Sequence, residues 1–99
     1  MNVHKQLRSP LKKLYNSVNE IAEKKVLLEY EILNTGLSNY AYYTLLSEAN
    51  WLVSTLDMGS YSDYVLSDQT IETFQSSADT LNQALTQAIS ELQAPYHVV

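Results

Sequence analysis

The sequence predicts an all-α protein, an antiparallel up-down-up three-helix bundle that is expected to self-associate. The chain has 99 residues, enough for a single domain spanning residues 1–99. Only Pro10, Gly36, Gly59 and Pro95 interrupt it, and the long intervals between them carry apolar residues at helical spacing. Three amphipathic helices joined by short connections favour an antiparallel bundle with coiled-coil-like packing.

The first helix is predicted over about residues 10–34, with Ser9 as a plausible N-cap and Gly36 as the stop. Its apolar positions recur every three or four residues, interrupted only by Lys25. They are Leu11, Leu14, Val18, Ile21, Leu28 and Ile32. The segment VLLEYEIL also has the composition of a strand, but a lone strand would have no partner, so a helix is favoured.

The second helix is predicted over about residues 39–58, after Ser38 or Asn39 as cap. Its only charged residues are Glu48 and Asp57, so we expect it to be covered on more than one side. Its apolar face consists of Tyr42, Leu45, Leu46, Ala49, Leu52, Val53 and Leu56, with Trp51 beside it.

The third helix is predicted over about residues 68–93, after a loop at 59–67 and with Ser67 or Asp68 as cap. Its core positions keep heptad spacing. They are Ile71, Phe74, Ala78, Leu81, Leu85, Ala88 and Leu92. Its other face is mostly Gln, Ser, Thr and Asn, and an apolar tail at 94–99 follows.

Charge is distributed unevenly along the chain. The net charge is −5, yet all six basic residues lie within the first 25 positions. In the predicted bundle the N-terminal bases Lys5, Arg8, Lys12 and Lys13 would lie near the acids Asp57, Asp63, Asp68 and Glu72. At the opposite end, an acidic pole is predicted that either faces a basic partner or stays solvated. Its members are Glu29, Glu31 and Glu91.

Tyrosine is the abundant aromatic residue, with eight copies against one Phe and one Trp. Tyr40, Tyr42 and Tyr43 are too close in sequence to face one core from a helix. Tyrosine suits interfaces because its ring is readily buried while its hydroxyl finds a partner. The residues predicted to form a protein interface are Tyr40, Tyr43, Trp51, Tyr61, Tyr64 and, in the tail, Tyr96. Tyr15 and Tyr30 are expected to edge the core.

Composition and motifs disfavour several function classes. The chain has no cysteine, and His4 and His97 fall at opposite ends of the predicted bundle, so we expect no metal site and no cofactor. No phosphate loop, G-x-S-x-G or H-E-x-x-H motif is present, and we expect no enzymatic activity. No run of 18 apolar residues predicts a membrane span, and a cytoplasmic location is the default expectation. The acidic balance disfavours nucleic-acid binding.

The predicted function is therefore a small protein-binding module, an accessory, adaptor or inhibitor protein that acts as a homo-dimer or higher oligomer on a protein partner of unknown identity. Two alternatives stay open. An oligomer could bind a small anionic ligand such as a nucleotide through Arg8, Lys12, Lys13 and Tyr15. The acid-rich remainder of the chain could instead mimic nucleic acid and inhibit a basic protein.

Overall fold

Three α-helices make up almost all of the part of the chain that the structure describes. The structure is a computed structural model, which describes residues 9–37, 39–56 and 67–94. The helices are α1 (Ser9–Thr35), α2 (Tyr40–Leu56) and α3 (Asp68–Gln93). These residues include no strand, and each helix packs against the other two, which confirms the predicted all-α three-helix bundle. The strand alternative for VLLEYEIL is wrong, because the whole segment lies within α1.

The junction between α1 and α2 is set by a glycine and an asparagine. Gly36 has a positive φ of 72°, and its amide donates to the carbonyl of Ile32 at 2.9 Å. A side chain here would have open space but an unfavourable backbone conformation, so glycine suits this stop. Asn39 then caps α2, since its Oδ1 accepts a hydrogen bond from the amide of Tyr42 at 3.0 Å.

The start of α3 follows the sequence prediction. Ser67 is the N-cap, with extended backbone angles, and its Oγ accepts a hydrogen bond from the amide of Thr70 at 3.1 Å. Asp68 places a negative charge in the first turn, where the helix dipole stabilises it. The cap and the charge together define this end of the helix.

The core lies between all three helices. Helix α1 contributes most to holding it together, because its contacts with α2 and with α3 are each more extensive than the contact between α2 and α3. Every apolar position predicted for α1 is buried. Among the predicted apolar positions of α2 and α3, all are buried or packed against the buried cluster; the partly exposed ones are Tyr42, Leu45, Val53 and Phe74. Ile89 is also buried and was not predicted.

A row of polar side chains crosses the contact between α1 and α3 beside the core. Gln75 Nε2 donates to Ser17 Oγ at 2.9 Å. Lys24 Nζ donates to Asn82 Oδ1 at 3.1 Å, and Asn82 Nδ2 reaches the carbonyl of Ser17 at 3.4 Å. These groups are half-buried, so leaving any of them unpaired would cost more than the pairing itself gains. The row therefore favours one register of α1 against α3.

The same row continues to Glu31, which departs from the sequence prediction. Glu31 was expected in an exposed acidic pole, but it is only 7% exposed and accepts a hydrogen bond from Gln93 Nε2 at 3.0 Å. Glu31 lies seven residues after Lys24, two full turns along the same side of α1. Glu29 differs from it, because it is exposed and lies 3.8 Å from the ammonium of Lys25.

Replacing Asn82 with alanine tests the polar row. The change removes both hydrogen bonds of Asn82, so we expect the free energy of unfolding to fall by about 1–2 kcal/mol. Urea unfolding followed by circular dichroism measures the change. The matched control is Gln83→Ala, at an exposed neighbouring position, where the change should stay within about 0.5 kcal/mol. Equal unfolding midpoints for the two variants would show that the row does not stabilise the bundle.

Candidate functional site

Helix α2 carries large aromatic residues on the side opposite its buried side. One side packs into the core through residues that include Leu46, Ala49 and Leu52. The other side carries three exposed aromatic residues, here called the α2 aromatic face: Tyr40 at 86% exposure, Tyr43 at 51% and Trp51 at 61%. Three large aromatic side chains exposed on one side of a helix are typical of a surface that another element or molecule covers.

Helical geometry places these three aromatic residues on one side. At about 100° per residue, Tyr40, Tyr43 and Trp51 fall within roughly 80° of one another. Tyr42 points the other way and packs against the core, which explains how three nearly consecutive tyrosines are accommodated. Glu48 is the only charged residue of α2, so the outer side is also nearly free of charge.

A groove of about 610 Å³ runs between α2 and α3 beside Trp51. The Trp51 ring lies against the ring of Phe74, with centroids 6.3 Å apart and planes tilted by 30°. Small side chains of α3 leave the groove open: Ser76, Ser77, Thr80 and Ala84. Its surface is mainly apolar, and Glu48 supplies the one charge among its lining residues. The groove extends the α2 aromatic face towards α3.

Tyr42 links the start of α2 to the end of α3. Its hydroxyl donates to Glu91 Oε1 at 3.2 Å, and Glu91 Oε2 accepts from Gln87 Nε2 at 3.3 Å. Desolvation raises the pKa of Tyr42 above its usual 10.0, and the hydrogen bond to Glu91 and the charge of Glu91 raise it further. A side-chain hydrogen bond with Asn39 acts in the opposite direction. Glu91 thus has partners within the chain.

Several predicted site residues fall outside the described residues. They are Arg8, Tyr61, Tyr64 and Tyr96, together with Lys5, Asp57, Asp63 and both histidines. Of the predicted anion-binding group, Lys12 and Lys13 are exposed on α1, whereas Tyr15 is half-buried against the core. Asp68 and Glu72 are exposed at the start of α3. The pairing of the N-terminal bases with the acids remains a prediction.

Sequence reasoning missed a second exposed apolar surface, here called the α1 apolar patch. Its members are Val26, Leu27, Tyr30, Leu33 and, beyond the end of the helix, Leu37. Tyr30 is 59% exposed, so the expectation that it edges the core is wrong. The available signal was the spacing of Val26, Tyr30 and Leu33, at four and then three residues, which marks one side of a helix.

The described residues show neither a metal site nor a membrane span, and the chain has no match among known proteins. Within residues 9–37, 39–56 and 67–94, no group of three or more His, Cys, Asp or Glu could hold a metal ion. Among those same residues, none of the helices has the length and apolar character needed to cross a membrane. No protein-family model, curated protein or solved structure matches the chain.

Tyr42→Phe tests the contact between α2 and α3. An alkaline titration followed at 295 nm measures the ionisation of tyrosine in the unmodified chain and in the variant. The difference between the two curves reports Tyr42, and its midpoint should lie above pH 10.0. The raised pKa means that Tyr42 stabilises the fold fully below pH 10, and that this contribution is lost as the pH rises through the raised value.

Glu91→Gln is the control for this titration, because it removes the charge but keeps a hydrogen-bond acceptor. In this variant the Tyr42 midpoint should move back towards 10.0. A midpoint at or below 10.0 in the unmodified chain would contradict the contact between Tyr42 and Glu91.

Proposed function

We propose that the chain is a non-enzymatic protein-binding module of the cytoplasm, an accessory, adaptor or inhibitor protein that works as a homo-oligomer. The observation that carries the proposal is the α2 aromatic face, where Tyr40, Tyr43 and Trp51 are exposed on the side opposite the core. Exposed aromatic residues that cluster on one side of a helix are typical of interfaces, since they bury much area at a small entropic cost.

The surroundings of the α2 aromatic face support pairing between two copies. The groove beside Trp51 is lined mainly by Ser, Thr, Ala and Leu side chains, with Glu48 as the single charge. Neutral side chains of this kind cost little to desolvate compared with charged ones. In a two-fold symmetric dimer each surface meets a copy of itself, and a neutral surface avoids repulsion in that arrangement.

The acidic character of the module adds a second element to the proposal. Glu29 and Glu91 are exposed, and the chain contains no Lys or Arg after Lys25. A basic surface on a partner protein would complement these acids and speed association at low salt. Glu31 does not take part, because it is buried.

We also infer that the three helices run up, down and up. Long-range hydrogen bonds support this order. Residues later in α1 pair with residues later in α3, as expected for parallel helices, whereas the start of α2 contacts the end of α3, as expected for antiparallel helices. The pairs are Ser17 with Gln75, Glu31 with Gln93, and Tyr42 with Glu91.

The double substitution Tyr40→Ala, Tyr43→Ala tests self-association. We expect the unmodified chain to show a mass of at least twice its 11.2 kDa in light scattering at about 100 μM protein. Removing two exposed rings should weaken the dimer by roughly tenfold or more, since aromatic residues at the centre of an interface carry much of its binding energy. Circular dichroism should show unchanged helix content, because alanine is a strong helix former.

Tyr30→Ala is the matched control, because Tyr30 is similarly exposed but belongs to α1. It should leave the oligomeric mass unchanged. A strictly monomeric chain at this concentration would remove the self-association part of the proposal. A dimer that the Tyr40 and Tyr43 substitutions leave intact would show that the α2 aromatic face is not its interface.

A further inference from the structure

The α1 apolar patch lies on the side of α1 that faces away from the core. Val26, Tyr30 and Leu33 occupy one narrow strip of the helix, and Leu33 is 83% exposed. Leu28, on the opposite side of the same helix, has no exposed surface at all. A strip of apolar side chains spaced by four and then three residues is the pattern that one helix presents to another helix. The patch therefore has the shape of a helix-binding surface.

Acidic side chains border this strip on both sides. At about 100° per residue, Glu23 lies roughly 60° to one side of Val26, and Glu29 lies roughly 60° to the other. Both glutamates are exposed. In a helix pair, residues in these flanking positions meet the flanking residues of the partner and set which partner is accepted. The border of the α1 apolar patch therefore favours a partner with positive charges.

The lysines nearest to the α1 apolar patch are both engaged within the chain. The Lys24 ammonium donates to Asn82 on α3, and the Lys25 ammonium already faces Glu29 of its own helix at 3.8 Å. The next bases in the described chain, Lys12 and Lys13, are about 20 Å away along α1. No Lys or Arg follows Lys25. In a second copy Lys24 and Lys25 would be engaged in the same way, so it would offer Glu23 no free basic side chain.

We propose that the α1 apolar patch binds an amphipathic helix of a partner protein, with apolar residues along its seam and Lys or Arg on both flanks. The inference rests on the proposed protein-binding function and names the partner's chemistry. The partner's apolar seam would cover Val26, Tyr30 and Leu33. Its basic flanks would pair with Glu23 and, in exchange with Lys25, with Glu29. The binding surface for this partner lies on α1, whereas the proposed self-association surface lies on α2. Substitutions can therefore impair one kind of binding without the other.

The test uses the full chain and a designed helical peptide about three heptads long, with Leu along the seam and Lys on both flanks. A second peptide carries Glu in place of every Lys. Fluorescence anisotropy of the labelled peptides should give a dissociation constant in the micromolar range for the basic peptide, and binding roughly tenfold weaker or more for the acidic one. Equal binding of the two peptides would overturn the inference.

The double substitution Tyr30→Ser, Leu33→Ser tests whether the peptide binds at the α1 apolar patch or is held only by general attraction between an acidic chain and a basic peptide. It leaves the net charge unchanged, and both residues are exposed, so the fold should persist in circular dichroism. We expect it to weaken binding of the basic peptide by roughly tenfold or more. Undiminished binding would show a purely electrostatic attraction and would overturn the inference.

A pair of single substitutions tests the acidic border. Glu23→Gln, beside the patch, should weaken binding of the basic peptide several-fold and make that binding less dependent on salt concentration. Glu72→Gln removes the same charge from an exposed position on α3 and should have a much smaller effect. Equal effects of the two substitutions would count against a role for the border.

Mass measurements distinguish this inference from the proposed self-association. If Tyr30→Ser, Leu33→Ser lowers the oligomeric mass, a second copy covers the patch and the inference is overturned. If the chain proves monomeric yet binds the basic peptide through the patch, self-association fails and the inference is supported. Tyr40→Ala, Tyr43→Ala should leave peptide binding unchanged in either case.

Discussion

The contact between α1 and α3 is the interaction on which the rest of the structure depends. Apolar residues of both helices fill the core, and beside them Ser17, Lys24 and Glu31 recur every seven residues and meet amide side chains of α3. An apolar contact alone tolerates sliding by a turn, whereas half-buried polar groups left unpaired after such a shift would cost free energy. The polar row thus gives the pair one register, and α2 packs on the surface that results.

The position of α2 explains why the bundle leaves apolar surface uncovered. Helix α2 contacts α1 more extensively than α3, and the small side chains of α3 leave a groove beside Trp51. One side of α2 packs into the core, whereas its aromatic side is not covered by the helices that the structure describes. Beyond the described helices, a further element or another molecule would be needed to bury Tyr40, Tyr43 and Trp51 together. Exposed aromatic residues therefore follow from the packing as much as from the sequence.

The core could be predicted from the sequence, because spacing by three and four residues identifies the side of a helix that is buried. The exposed apolar surface of α1 was harder to predict, because a segment rich in apolar residues shows this spacing on more than one side of the helix. From Val26 to Leu33 six of the eight residues of α1 are apolar, so the strip that includes Leu28 was recognised while the strip that includes Tyr30 was overlooked. The burial of Glu31 could not be predicted either, since it depends on Gln93, a residue 62 positions away.

Charge is the basis on which we propose different partners for the two exposed surfaces. Around Trp51 the groove is almost neutral, and two copies can meet there without repulsion. Beside Tyr30 the border carries Glu23 on one side and Glu29, which Lys25 contacts, on the other, while Lys24 is engaged with Asn82. Apolar area alone would let either surface bind a second copy. On this proposal the charge of Glu23 disfavours pairing of two α1 helices, whereas the nearly neutral surface of α2 permits pairing. One small bundle could then associate with itself through α2 and keep α1 for a basic helix.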